Sequence, residues 1–268
     1  MKKLVSLFLL LMLFLSCSEF QNALKSEDNV VKLTLATKLY DEGKYAKAIR
    51  LFEQISPSYK GKPQGERMFY MLAQSYYKTN QYYLAGFNFD TFSAGYPRSD
   101  KSEEAAFLGA KCYSKLSPKY SLDQIDTQKG IDKFQIFINN YPDSKFLPEA
   151  NEIVKMLREK IEFKVYENAR IYNKIARYSA DHVAAMRALE NFIIDYPGTP
   201  YQEDALFFKF DSAYKLAVNS VERKKLERLK SAQSAYNALI KFRPDTKHLS
   251  KVSVMIKEIN KQLESSSI

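Results

Sequence analysis

The sequence predicts an all-α chain, a helical solenoid of about five helix pairs with a long linking helix between its two halves. Three observations carry this prediction: few turn residues, an internal repeat of small and aromatic positions at helical spacing, and a proline closing most of the repeats. Gly 8 and Pro 9 in 268 residues are too few for the many tight turns of an all-β chain. An apolar content of 46% and an aromatic content of 14% exclude a disordered or collagen-like chain. Trp is absent while Tyr 19 and Phe 18 are abundant, so packing relies on medium aromatics among Ala and Leu, which suits close helix contacts.

At the N-terminus, Lys2 and Lys3 precede a stretch of twelve residues, Leu4 to Leu15, that is almost wholly apolar. It is too short to span a hydrocarbon core, which takes roughly 20 residues, and reads as an export signal. Its end, Phe14-Leu15-Ser16-Cys17, resembles the lipobox of bacterial lipoproteins, with Phe where Leu is usual. The resemblance implies that residues 1–16 are a lipoprotein signal peptide and that Cys17 becomes the lipidated first residue of the mature chain. Ser18, rather than Asp, is compatible with export to the outer membrane. Residues 17–29 read as a lipidated tether, polar and without apolar period, and residues 30–264 as the solenoid.

The repeat appears when Lys60, Pro97, Pro142, Pro197 and Pro244 are aligned. Twelve residues before them stand Ala48, Ala85, Gly130, Ala185 and Ala232; eight before, Phe52, Phe89, Phe134, Leu189 and Tyr236; five before, Ile55, Phe92, Phe137, Phe192 and Leu239; one before, Tyr59, Tyr96, Tyr141, Tyr196 and Arg243. Offsets of four, three and four put these on one helical face. Proline removes a donor and restricts the residue before it, so each repeat ends in one amphipathic helix. Two residues on, Ser99, Ser144, Thr199 and Thr246 are expected to cap the next helix; Thr199-Pro200-Tyr201-Gln202 has the form of an N-cap with Pro at the first helical position. Successive corners are 37, 45, 55 and 47 residues apart. The first added segment, Ser117 to Thr127, reads as a loop. The second has no breaker between Pro148 and Ala176 and predicts a helix of nearly thirty residues.

Phe69, Leu72, Ala73, Tyr76, Tyr82, Ala85, Phe89, Phe92 and Pro97 match the large and small positions of the 34-residue tetratricopeptide repeat. Ala36, Leu39, Gly43, Tyr45, Ala48, Phe52 and Ile55 do the same one unit earlier. With the lipobox-like Ser16-Cys17, the run Asp41 to Ile49, the run Ala73 to Lys78, Ser121-Leu122-Asp123-Gln124 and the Tyr-Pro corners, the mature chain resembles the BamD family, tetratricopeptide-repeat lipoproteins of the outer-membrane β-barrel assembly machinery. The resemblance implies a non-enzymatic scaffold on the periplasmic face of the outer membrane. Its partners would be the periplasmic domains of the assembly channel, unfolded outer-membrane proteins, and the membrane itself through the lipid. An unrelated envelope lipoprotein acting in cell-envelope coordination or ligand capture is the alternative.

Two Cys and two His, far apart, supply no four-donor zinc set, and no nucleotide, hydrolase or metalloprotease motif is present; no catalytic residue, metal or cofactor is expected. Cys112, in an Ala-rich helix, reads as a small core residue, and His182 and His248 as surface residues without a carboxylate partner. Glu103-Glu104 reads as a first-turn complement to a helix dipole. In the tetratricopeptide register the groove-facing positions are Tyr40, Arg67, Tyr70, Gln74, Tyr77 and Lys78. The resemblance makes them a substrate-peptide groove, in which tyrosine rings offer stacking area and Arg67 or Lys78 a carboxylate partner. Residues 206–268 hold 13 Lys/Arg against 6 Asp/Glu, net +7, whereas 18–205 hold 26 against 25, net +1. Clustered charge steers encounter, so Arg223, Lys224, Lys225 and Arg228 are the expected docking face for the channel. An exported lipoprotein does not meet nucleic acid, so none is expected as a partner.

Overall fold

The computed structural model describes residues 19–265; the expected signal peptide and the expected lipidation site Cys17 lie outside them. Among the described residues the regular structure is entirely helical: α1 (19–25), α2 (Asn29–Asp41), α3 (Tyr45–Tyr59), α4 (Pro63–Lys78), α5 (Tyr82–Gly95), α6 (Ser102–Leu116), α7 (Ile125–Asn140), α8 (Leu147–Ser179), α9 (His182–Asp195), α10 (Gln202–Val218), α11 (Glu222–Phe242) and α12 (Leu249–Ser265). The fold is all-α, built of helix pairs of tetratricopeptide type. Two compact units divide at Arg158 and Glu159, inside α8. The first stacks α2 on α3, α3 on α4, and so on in chain order to α7; the second stacks α9 on α10, α10 on α11 and α11 on α12.

The repeat columns are the core. Ala48, Ala85, Ala185 and Ala232 are fully buried, as are Phe52, Phe89, Phe134 and Leu189 one turn on and Ile55, Phe92, Phe137, Phe192 and Leu239 beyond them. Gly130 holds the small column in α7 because a Cβ there would sit 3.2 Å from Leu157 Cδ1 and 3.4 Å from the Ser114 backbone nitrogen. The columns weaken in the last pair, where Tyr236 is half-buried and Arg243 exposed.

The corners repeat atom for atom. Tyr96, Tyr141 and Tyr196 leave the helical region at φ near −130, −130 and −125°, as a residue before proline must. The hydroxyls of Ser99, Ser144, Thr199 and Thr246 accept from the backbone N–H two residues on, at 3.1, 3.0, 3.2 and 3.3 Å, and their carbonyls accept from the N–H three residues on. Each therefore closes a turn ahead of the helix. The expected N-cap at Thr199 is corrected: α10 starts at Gln202, with Tyr201 in the cap position and Thr199 in the turn before it.

Two further expectations change. The stretch read as a polar tether contains α1, which buries Phe20 and Ala23 in the first core cluster. The long insertion is one helix of 33 residues, somewhat beyond the thirty expected. The segment 117–124 is non-helical, its turn held by the Gln124 side-chain amide donating to the carbonyls of Lys119 and Leu122, at 2.9 Å each.

Candidate functional site

Side chains of α2, α4 and α6 come together on one side of the first unit. Gly65 sets α4 in place, since a Cβ there would lie 2.3 Å from the Tyr59 carbonyl oxygen, so the first turn of α4 rests directly on the end of α3. Positions 67, 70, 74, 77 and 78 then fall along one side of α4. Tyr40, in the last turn of α2, meets Tyr45 edge to face at 5.5 Å. Tyr70 packs against Phe92 and Phe89, with centroids at 5.5 and 6.2 Å. Its hydroxyl accepts a 2.8 Å hydrogen bond from the Gln74 amide. Tyr77 meets Tyr82 at 5.7 Å and Phe89 at 6.4 Å. Tyr40, Tyr70 and Tyr77 are half-buried, Gln74 is buried, and Arg67 and Lys78 are exposed. The rings therefore serve the core with one edge and leave the other at the surface.

This side of α4 also meets charge that the sequence reading did not assign to it. Glu104 pairs with Lys101 at 3.0 Å, and the Lys101 ammonium lies 5.5 Å from the Tyr70 ring centre. Burial above all raises the Tyr70 phenol; the Gln74 amide works against that, and the nearby Glu104 carboxylate adds to it. Tyr40 is raised by burial first, with Glu104 among the charges adding to it and Arg67 opposing. At the other end, burial raises Tyr77 while Lys111, itself paired with Glu149 at 2.6 Å, pulls it back.

Glu103 does more than complement a dipole: its carboxylate accepts from the Ser144 hydroxyl at 2.6 Å, latching the start of α6 to the corner one repeat on. Glu203 plays the same part in α10, accepting from the Thr246 hydroxyl at 2.6 Å and the Lys247 N–H at 2.8 Å. A first-turn Glu about forty residues before a corner Ser or Thr is the sequence signal for it, and needs the repeat register to be seen.

The four α11 residues expected to dock the channel, Arg223, Lys224, Lys225 and Arg228, are not one free face. Arg223 and Lys224 are exposed. Lys225 lies 3.7 Å from Glu222, and Arg228 donates to the Ser220 hydroxyl at 2.8 Å.

Both histidine expectations are corrected. His182 is buried at the start of α9, its Nδ1 without a hydrogen-bond partner among the described residues, and burial, then the Lys215 charge, lowers its pKa. His248 stacks on Phe207 at 3.8 Å and 7° and meets the Asp204 carboxylate at 2.7 Å. Burial pushes Asp204 up, but hydrogen bonds from Lys247 and His248 outweigh it. Cys112 is fully buried, and burial pushes its thiol up to about 12, the opposite of an activated nucleophile. Among the described residues no group of three or more His, Cys, Asp or Glu could hold a metal, and no helix is long and apolar enough to cross a membrane.

Three curated relatives align with the chain. The outer membrane protein assembly factor BamD of Caulobacter vibrioides is 22% identical over 195 residues, 72% of this chain and 63% of that protein. The putative factor of the same name from Aquifex aeolicus is 27% identical over 185 residues, 68% and 57%; that of Rickettsia prowazekii is 25% identical over 207 residues, 75% and 80%. The chain thus spans less than two thirds of the length of the first two. Among solved structures, the TPR2AB domain of yeast Sti1 in complex with pHSP90 is similar at a TM-score of 0.40 and 15% identity, covering 90% of this chain and 98% of that one; so loose a match adds nothing to the helix pairing seen directly. The family model described as YfiO, outer membrane lipoprotein, matches residues 32–181 and 176–268, nearly all of the described fold, and the chain belongs to that family of outer membrane lipoproteins.

Proposed function

We propose that the chain is a non-enzymatic scaffold of outer-membrane β-barrel protein assembly, held on the periplasmic face of the outer membrane by a lipid on Cys17. The observation that carries this reading is the family match running from residue 32 to 268 behind a lipobox-like Ser16-Cys17. Relatives named as assembly factors support it.

Within that reading the first unit takes unfolded barrel substrates along α2, α4 and α6. A barrel strand ending in an aromatic side chain and a free carboxylate suits a face with exposed tyrosine edges and a cation. Arg67 and Lys78 are eleven residues apart on α4, about 16 Å along the axis, so one carboxylate reaches only one of them. An ion pair lies beside each of them, Lys101–Glu104 near Tyr70 and Lys111–Glu149 near Tyr77, so either cation can take the carboxylate. Docking to the channel's periplasmic domains falls to the second unit, where the basic excess lies, with Arg223 and Lys224 the best placed of the four α11 cations.

Co-purification tests the reading. The lipidated full-length chain, extracted in mild detergent, should bring an outer-membrane channel with it. Recovery of the chain from the membrane with no barrel protein attached would refute the assignment.

A further inference from the structure

We infer that the first repeat lies directly against the phospholipid surface, with α1 and the start of α2 as its membrane-facing side, rather than standing off on a tether. This rests on the lipid anchor at Cys17.

The argument starts from chain length. Only Ser18 separates Cys17 from Glu19, where described α1 begins, and two residues reach at most about 7 Å. From Glu19 onward the chain is fixed to the repeat. Phe20 and Ala23 are 4% and 3% exposed in the cluster that holds Leu35, Leu39 and Phe52. The Lys47 ammonium and the Arg50 guanidinium of α3 approach the Phe20 ring at 5.4 and 5.5 Å. Glu19 pairs with Lys38 of α2 at 3.3 Å, and the turn into α2 is closed by Asp28, which accepts from the Val30 N–H at 2.7 Å. A lipid at Cys17 is thereby placed within a few ångströms of one known edge of the first repeat.

That edge opens onto an apolar groove. α1 and α2 flank a cavity of about 540 Å³ that begins at Glu19 and Lys38 and ends at Val30 and Val31, with Ala23 and Leu35 in its floor. Lys38 to Val30 is eight residues, about 12 Å of helix. Val30 is 65% exposed and Val31 47%, two adjacent β-branched apolar side chains at a helix start with no core to enter. Around them Lys25 and Lys32 balance Glu27 and Asp28, so no net charge keeps this side from a headgroup layer, into which the lysine stems can extend. Two valines would not hold a protein on a bilayer by themselves. Covalent attachment one residue away makes the contact intramolecular, and a weak contact is then populated.

The test uses the processed, lipidated full chain in phospholipid vesicles, with an environment-sensitive thiol dye on Val31→Cys and, as reference, on Phe87→Cys, an exposed site on α5 outside this groove; Cys112 is buried and does not label. Vesicles carrying brominated acyl chains should quench the dye at position 31 and not at 87. Inserting a ten-residue Gly-Ser segment between Ser18 and Glu19 should abolish the quenching while the protein still sediments with the vesicles. The inference is overturned if the vesicle-bound protein shows no quenching at position 31, whether because the groove holds a covalent acyl chain folded away from the bilayer or because it holds a protein partner. It is equally overturned if quenching survives the insertion, since the short attachment would then not be what imposes the contact. Failure of the anchor itself is separate: it appears as an unmodified mass at Cys17 and a soluble protein, before any dye is read.

Discussion

Phe134 is the sharpest probe of the repeat register. Its ring is fully buried in α7 and meets Phe107 of α6 edge to face at 6.1 Å and 64°, inside a ring cluster that includes Phe137 and Phe146. An aromatic side chain buries roughly 200 Å², worth about 5 kcal/mol at about 25 cal/mol per Å². Alanine keeps part of that area and the site partly collapses, so Phe134→Ala should cost about 3–5 kcal/mol. In a stacked array the loss is shared with the neighbouring helices, and it is a large part of a stability of about 5–15 kcal/mol. For a chain of this size it corresponds to a fall in Tm of roughly 6–20 °C. Far-UV circular dichroism through a thermal ramp measures it. Ile136→Ala, on the same helix but 54% exposed, should change stability by less than about 0.5 kcal/mol. If Phe134→Ala leaves the transition unmoved, or Ile136→Ala lowers it equally, α7 does not bury the face assigned to it.

Cys17→Ser should leave the chain unprocessed or soluble; unchanged mass and membrane partitioning would remove the anchor. A photo-crosslinking peptide ending in an aromatic residue with a free carboxylate should label the α4 face, and Tyr70→Ala/Tyr77→Ala together with Lys78→Glu should reduce that labelling; equal labelling of the variant would reject the groove. Reversing Arg223, Lys224, Lys225 and Arg228 to Glu should slow association with the channel's periplasmic domain and flatten its salt dependence, with most of the effect from Arg223 and Lys224; an unchanged on-rate and salt slope would make them a solvated surface. The Thr246 hydroxyl first of all, then the Lys247 N–H and the Arg243 charge, hold Glu203 below its ordinary carboxylate pKa. The latch therefore contributes stability above the unfolded carboxylate pKa and loses it as pH falls through the lower folded value. Glu203→Gln should remove that part of the acid dependence, and identical acid-unfolding curves for the variant and the natural chain would refute the latch.

Periodic and local features are legible in the amino-acid order. A small residue at 48, 85, 130, 185 and 232 and a large one four residues later recur because each helix must bury the same stripe against the next, and that constraint repeats with the chain. Prolines after the helices, the long breaker-free run in α8 and the alignment of positions 67, 70, 74, 77 and 78 along one side of α4 were legible for the same reason. Features that depend on one-off contacts emerge only once the helices are packed. Phe20, Ala23 and Leu24 are three apolar positions in a seven-residue helix, too short to establish a period, yet they dock α1 and turn a supposed tether into part of the core. His248 was legible as a residue but not as a partner, because Asp204 and Phe207 reach it from a helix more than forty positions upstream. Arg228 has its charge in plain view in the sequence and its hydrogen bond to Ser220 only in space. Glu104 was read as a helix-start charge, and only in space does it come beside Tyr70 of α4. Helical periodicity reports which side of a helix faces inward; which groups meet there is set by the stacking of one helix on the next.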